Sequence, residues 1–307
     1  MKKILFILLA LCNFNFLQAG EWKLIDKDPF GITTVSVRSR IDCADTNNCI
    51  AVYWYNLDRL AERMTTDGGK TWFTTIIDTA PSWEQWLTRK WHNPNGVQYP
   101  DTNLIIITCE DGTYWITRDR GKNWTINQFD TFGIKASFCD SKHGAIISWD
   151  YLYTTKDGGY NWEKIHYTYV DSTQHFGTYL SVPEEQTIYI AWAPYFYRSY
   201  DWGKTWERLP IPLMPTGILF LNRKDGFIVR GFPVNGSYKS LRDIIYSTND
   251  GGDSWQLRLD TINKFPAGAY GLRKVSFADE KNGVVIGSWG KMYRTSDGGI
   301  TWIQDTS

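Results

Sequence analysis

The sequence predicts an all-β chain: a six-bladed β-propeller of four-stranded antiparallel blades, with seven blades as the alternative. Three observations lead there. An octapeptide of the form [ST]-x-D-x-G-x-[TSN]-W occurs six times. Its aspartates are separated by 52, 38, 44, 49 and 47 residues, a period that signals a repeat architecture. The residues before each copy read as short strands broken by tight turns, the grammar of a propeller blade.

The copies are TTDGGKTW (Thr65–Trp72), TRDRGKNW (Thr117–Trp124), TKDGGYNW (Thr155–Trp162), SYDWGKTW (Ser199–Trp206), TNDGGDSW (Thr248–Trp255) and TSDGGITW (Thr295–Trp302). Their aspartates are Asp67, Asp119, Asp157, Asp201, Asp250 and Asp297. Their tryptophans are Trp72, Trp124, Trp162, Trp206, Trp255 and Trp302. The chemistry suits a hairpin. Glycine supplies a positive φ. An aspartate can accept a backbone N–H two residues on, as an Asx-turn. The indole buries a large surface and keeps one N–H to satisfy.

The last repeat shows the strands most plainly. KVSF (Lys274–Phe277) alternates, ADEKNG is a turn, and VVIG is a short buried-type run. SWGK turns the chain again, MYRT is a third strand, and TWIQ is a fourth beyond the DGG turn. The third repeat aligns with it, Tyr153 on Tyr293 and Trp149 on Trp289. Six blades share the chain beyond its N-terminal segment at about 48 residues each. The segment EWKLID (Glu21–Asp26) resembles the strand after each octapeptide, so it is expected to close the ring beside the C-terminal strand.

On these residues the chain resembles the Asp-box (BNR) repeat family. That family includes bacterial sialidases, sortilin-type receptors, some glucanases and photosystem II assembly factors. The T-x-DGG-x-TW form, preceded by V/I-x-G-x-x-G-x-I/L/M-Y/F, is most similar to the photosystem II assembly factor type. The resemblance implies that the box is a fold element remote from any catalytic site. It also implies a rigid disc that binds another protein.

The N-terminus, MKKILFILLALCNFNFLQAGEW, has the basic start, short apolar run and small-residue end of a secretory signal. Residues 1–19 are read as that signal and 20–307 as one propeller domain, exported to the periplasm or the extracellular space. The alternative is a lipoprotein anchored through Cys12. Cys43 and Cys49 flank ADTNN in a turn between first and second strands, within reach of a disulfide in an exported chain. Cys109 ends a second strand and Cys139 a first strand, at opposite ends of their blades, and both are expected as thiols.

Lys+Arg and Asp+Glu balance at 33 each, which argues against a nucleic-acid partner. Six of the 16 tryptophans belong to the repeat, so aromatic richness is largely structural. The four histidines show no ligand spacing, and no metal or cofactor is implied.

In a meander the box hairpins share one end of the blades, and the turns between second and third strands share the other. That second end carries Trp54, Tyr55, Trp149, Asp150, Trp192, Tyr195 and Trp289, a candidate ligand face. Glu110, Asp111 and Phe232 occupy turns there too, with Trp83 and Trp86 nearby. The basic residues Arg38, Arg40, Arg89, Arg273 and Lys274 lie on or beside innermost strands. Hydrolysis of a glycosidic bond needs two flanking carboxylates. The sialidase resemblance would require Arg-Ile-Pro, but here Arg40-Ile41 is followed by Asp42, and no Tyr–Glu pair stands out. The reading is therefore a non-catalytic, monomeric module that binds a protein at the face opposite the boxes. The alternative is a glycan-binding or glycoside-hydrolase-like propeller.

Overall fold

The computed structural model describes residues 40–55, 59–79, 94–148, 151–166, 179–192, 195–234, 236–264, 271–287 and 291–305. The expected signal, the EWKLID strand, Arg38, Arg89, Trp83 and Trp86 lie outside these residues. The described residues form six four-stranded antiparallel sheets and no helix, a six-bladed β-propeller.

The first sheet holds β1 (Arg40–Cys43), β2 (Cys49–Tyr55), β3 (Arg59–Thr65) and β4 (Phe73–Thr79). The second holds β5 (Pro94–Gln98), β6 (Ile105–Cys109), β7 (Thr113–Thr117) and β8 (Thr125–Gln128). The third holds β9 (Lys135–Phe138), β10 (Gly144–Ile147), β11 (Tyr151–Thr155) and β12 (Glu163–His166). The fourth holds β13 (Tyr179–Glu184), β14 (Thr187–Trp192), β15 (Tyr195–Ser199) and β16 (Glu207–Leu209). The fifth holds β17 (Gly217–Phe220), β18 (Gly226–Val234), β19 (Ser237–Thr248) and β20 (Gln256–Lys264). The sixth holds β21 (Leu272–Phe277), β22 (Gly283–Gly287), β23 (Met292–Thr295) and β24 (Ile303–Asp305). The final strand begins after Trp302, not at Thr301 as the pattern suggested, because the hairpin occupies both residues.

The chain divides into two compact units. One comprises Met1–Ala136 with Ile146–Asp150, the other Ser137–Ala145 with Tyr151–Ser307. The first unit packs Ile50, Val52 and Leu60 of one sheet against Val97, Tyr99, Ile105 and Ile107 of the next. The second unit stacks aromatic pairs between sheets, such as Tyr189 on Phe220 with centroids 3.5 Å apart and Phe227 on Phe277 at 4.6 Å.

Inside each unit, neighbouring blades are also joined by a polar device near the innermost strands. Asp42 of β1 accepts the Tyr99 N–H at 2.7 Å. In the second unit Ser137 of β9 accepts the Val182 N–H, and Ser181 of β13 accepts that of Phe220, both at 3.0 Å. Each is the third residue of a four-residue register that starts the blade. A small acceptor there satisfies a backbone donor that would otherwise be buried unpaired.

The six octapeptides are superimposable in chemistry. Each connects a third strand to a fourth. The leading Ser or Thr hydroxyl donates to the aspartate Oδ1 at 2.7–2.9 Å. The same hydroxyl accepts the N–H of the residue two beyond the aspartate. The carboxylate then takes the backbone N–H four residues on, at 2.9–3.0 Å. Its second oxygen takes that residue's Thr, Asn or Ser side chain, at 2.5–2.7 Å. This corrects the expected Asx-turn: the bonded N–H is four residues on, not two, because two successive left-handed residues follow the aspartate. The first is Gly68, Arg120, Gly158, Trp202, Gly251 or Gly298 and the second is always glycine.

The Asx-turn is present, but in the turn between first and second strands. Asp45, Asp101, Asp140, Asn222 and Asp279 each accept N–H groups two and three residues on. In all six blades that turn then receives the residue after the hairpin aspartate. Gly68, Arg120, Gly158, Trp202, Gly251 and Gly298 donate to the carbonyls of Asn47, Asn103, Lys142, Gln186, Lys224 and Lys281. The two turns of a blade therefore lock each other at the same end.

Candidate functional site

The turns between second and third strands lie at the other end of each blade. The backbone places Trp54 and Tyr55 at the end of β2. Trp192 ends β14 and pairs in register with Tyr195, the first residue of β15. Trp149, Asp150 and Trp289 fall outside the described residues, as do the side chains of Trp54, Tyr55 and Trp192.

Tyr195 is the candidate whose surroundings are described. It is half-buried, with its ring 6.1 Å from that of Tyr197. The Arg208 guanidinium of β16 lies 4.4 Å from its centroid. Tyr197 is paired in register with Arg208, and burial pushes its phenol pKa up, opposed by that cation. The third blade repeats the device. Tyr151 and Tyr153 lie 6.2 Å apart, and Lys164 sits 3.6 Å from the Tyr151 centroid with His166 at its edge. Alternation makes this geometry. In a Tyr-x-Tyr segment both rings leave the same face, and a cation on the facing strand covers them. The cation holds one ring face, so a ligand that stacks on that face must displace the charge.

Asp111 of the β6–β7 turn is a structural acid. It is buried, and it accepts the Thr113 N–H at 3.1 Å and the Thr113 hydroxyl at 2.9 Å. Asp171, a further acid that the sequence pattern places at this end, lies outside the described residues. Among the described residues no group of three or more His, Cys, Asp or Glu is arranged to hold a metal.

Cys43 and Cys49 are joined as a disulfide, facing each other across the β1–β2 pair with Cα atoms 4.0 Å apart. Cys109 and Cys139 remain thiols, the first buried and the second half-buried. Burial, reinforced by Asp140, pushes the Cys139 thiol up to about 11.

The most unusual polar group at this end was not singled out by its sequence. Asp243 of β19 is fully buried. Its carboxylate takes the ammonium of Lys291, the Asn263 amide at 3.1 Å and the Leu272 N–H at 3.2 Å. Lys291 immediately precedes β23, and its carbonyl accepts the Gly287 N–H, which closes the β22–β23 turn. Gly231 and Gly271 make the approach possible. A Cβ on Gly271 would lie 2.3 Å from the Gly231 Cα and 2.8 Å from Asp243 Oδ1. The only warning in the sequence was a charge amid the buried strand residues Leu241, Ile244 and Ile245, which register alone does not reveal.

No family model matches the chain, and no curated protein does. Solved structures share its architecture. YCF48 bound to a D1 peptide superimposes with a TM-score of 0.57 at 16% identity, covering 89% of this chain and 82% of that one. YCF48 from Cyanidioschyzon merolae gives 0.57 at 17%, covering 90% and 86%. An ulvan lyase, a polysaccharide lyase, gives 0.56 at 11%, covering 85% and 80%. At these identities the likeness is one of fold: a β-propeller built of four-stranded blades.

Proposed function

We propose that this chain is an exported, non-catalytic β-propeller of the Asp-box type that binds another protein at the blade ends opposite its six hairpins. The observation that carries the reading is the commitment of the repeated carboxylates. All six hairpin aspartates spend both oxygens on their own turns. The repeat therefore serves the scaffold, and function belongs to the other end, where the turns differ from blade to blade. A structural neighbour bound to a peptide supports a propeller of this build as a peptide receptor. Export by residues 1–19, or anchoring through Cys12, a single domain over 20–307 and a monomeric state complete the proposal.

The Tyr195–Tyr197–Arg208 cluster favours one second reading, a glycan-binding or glycan-cleaving propeller. Tyrosine rings beside a cation suit an acidic sugar, and a polysaccharide lyase is among the structural neighbours. One experiment separates the two. The purified chain is incubated with sialosides and β-glucan oligosaccharides, and a photo-crosslinker at position 195 is activated in the producing cell. A discrete protein adduct without turnover is expected. Measurable turnover, or glycan binding abolished by Tyr195→Ala with no protein adduct, would replace the first reading by the second.

A further inference from the structure

The hairpin repeat contains a second, hidden repeat. The second left-handed glycine of a hairpin and the hairpin tryptophan form a slot. Against Gly121, Gly203 and Gly252 a side chain from the third strand of the preceding blade fills it, five residues before that blade's own hairpin aspartate; against Gly299 the filler is Phe227 of a second strand. Against Gly203 the filler is Leu152, whose Cδ2 would lie 2.7 Å from an added Cβ, beside Trp206. Against Gly252 it is Phe196, at 2.9 Å, beside Trp255. Both fillers are fully buried hydrocarbon.

In the first blade, whose third strand faces the hairpin of the second, the same position holds an acid. Glu62 of β3 stands five residues before Asp67, and a Cβ on Gly121 would lie 2.9 Å from its Oε1 and 3.2 Å from its Oε2. Glu62 is 2% exposed. Its Oε2 has no hydrogen-bond partner among the described residues. The Trp124 indole approaches the carboxyl without meeting ordinary hydrogen-bond geometry. Other neighbours include Met64 on its own strand, Tyr99 beyond β5, and the charges around Tyr99. These are Arg120 of the hairpin, Asp45 of the β1–β2 turn and Asp101 of the β5–β6 turn. Arg63, next along β3, is itself depressed by burial. Burial dominates at Glu62 and pushes its pKa up to about 8, opposed by Trp124.

An ionised carboxylate in a slot built for Leu or Phe is strongly disfavoured. We infer that Glu62 is a proton-operated latch between the first two blades. Protonated, it fills the slot as its apolar counterparts do. Ionised, it must draw in water or leave, and the Thr117–Trp124 hairpin loses its anchor. The folded value lies above the ordinary 4.5, so the stabilising contribution is complete below about 4.5 and disappears as pH rises through about 8.

Hydrogen exchange tests this, with protection factors corrected for intrinsic rates. The wild-type hairpin at 117–124 should lose about tenfold or more of its protection between about pH 6.5 and about pH 9.5. The hairpin at 199–206, whose slot holds Leu152, should not. In Glu62→Gln and Glu62→Leu the difference between the two hairpins should no longer depend on pH. Equal retention by both wild-type hairpins would overturn the latch, and so would an unchanged loss in Glu62→Gln. The wild-type comparison decides by itself if either variant fails to fold.

Discussion

A carboxylate and an ammonium buried as deeply as Asp243 and Lys291 persist only as a pair, because each alone would lose its hydration without compensation. The Asn263 amide and the Leu272 N–H complete the acceptor's needs, and the ammonium lies 5.5 Å from the Tyr293 ring. Lys291→Met removes one partner and leaves a buried charge. It should lower stability by about 3–5 kcal/mol, read from the urea midpoint, and pairing it with Asp243→Asn should recover part of that loss. A shift under about 1 kcal/mol for the single variant would mean that water reaches Asp243. At this scale the sequence was a partial guide. A hairpin aspartate can be recognised because its partners sit within four residues of it. Asp243 and Lys291 are 48 residues apart, and nothing in either neighbourhood announces the other.

The blade is held together by contacts that recur with its period. The last aromatic of the first strand lies over a glycine that opens the second: Phe138 over Gly144, Phe220 over Gly226 and Phe277 over Gly283. A Cβ on Gly283 would meet the Phe277 ring at 2.7 Å. That ring is also stacked on Phe227 and set edge-on to Trp302, so it cannot retreat freely. Gly283→Ala should therefore cost about 1–3 kcal/mol by overpacking. The second substitution Phe277→Leu should relieve part of it, measured as a non-additive shift in thermal midpoint. Full additivity would show that the ring moves aside without strain. The SFCDSKHG, LFLNRKDG and SFADEKNG segments carry this contact openly. The fourth blade departs from the pattern. Its β13–β14 turn is tighter, with Gln186 at a positive φ and a register shift between Ser181 and Glu184.

Over the whole molecule the six hairpins act together on acid stability. All six aspartates titrate below the ordinary 3.8. At Asp67 and Asp297 the main cause is the hydroxyl four residues on, and both are held at about 2. At Asp119 it is the Thr117 hydroxyl. At Asp157, Asp201 and Asp250 burial works in the opposite direction, and the hydrogen bonds outweigh it. The unfolded chain thus binds more protons between about pH 4 and about pH 2. The hairpin contribution is complete above that window and lost as pH falls through it. Thermal midpoints followed by circular dichroism should drop steeply below about pH 4, on the opposite side of the profile from the loss that Glu62 imposes as pH rises toward about 8. Replacing hairpin aspartates by Asn should flatten the drop, and an unchanged profile would assign acid unfolding to other carboxylates.

The sequence alone determined the number of blades, their four-strand meander and the hairpin that ends each one. Those features rest on interactions within four residues or on strand alternation, and their signature repeats six times. The disulfide partners are local in the same sense, six residues apart on facing strands. Only the tertiary structure decided which N–H groups the hairpin aspartates accept, because two consecutive left-handed residues re-aim the backbone. Only it placed the Asx-turns beneath the hairpins, set cations over Tyr151 and Tyr195, and paired Asp243 with Lys291. It also put Glu62 where its counterparts are Leu152 and Phe196. Those arrangements depend on which side chain meets which across a blade boundary. A local pattern says which face a residue takes, and packing alone says what waits for it there.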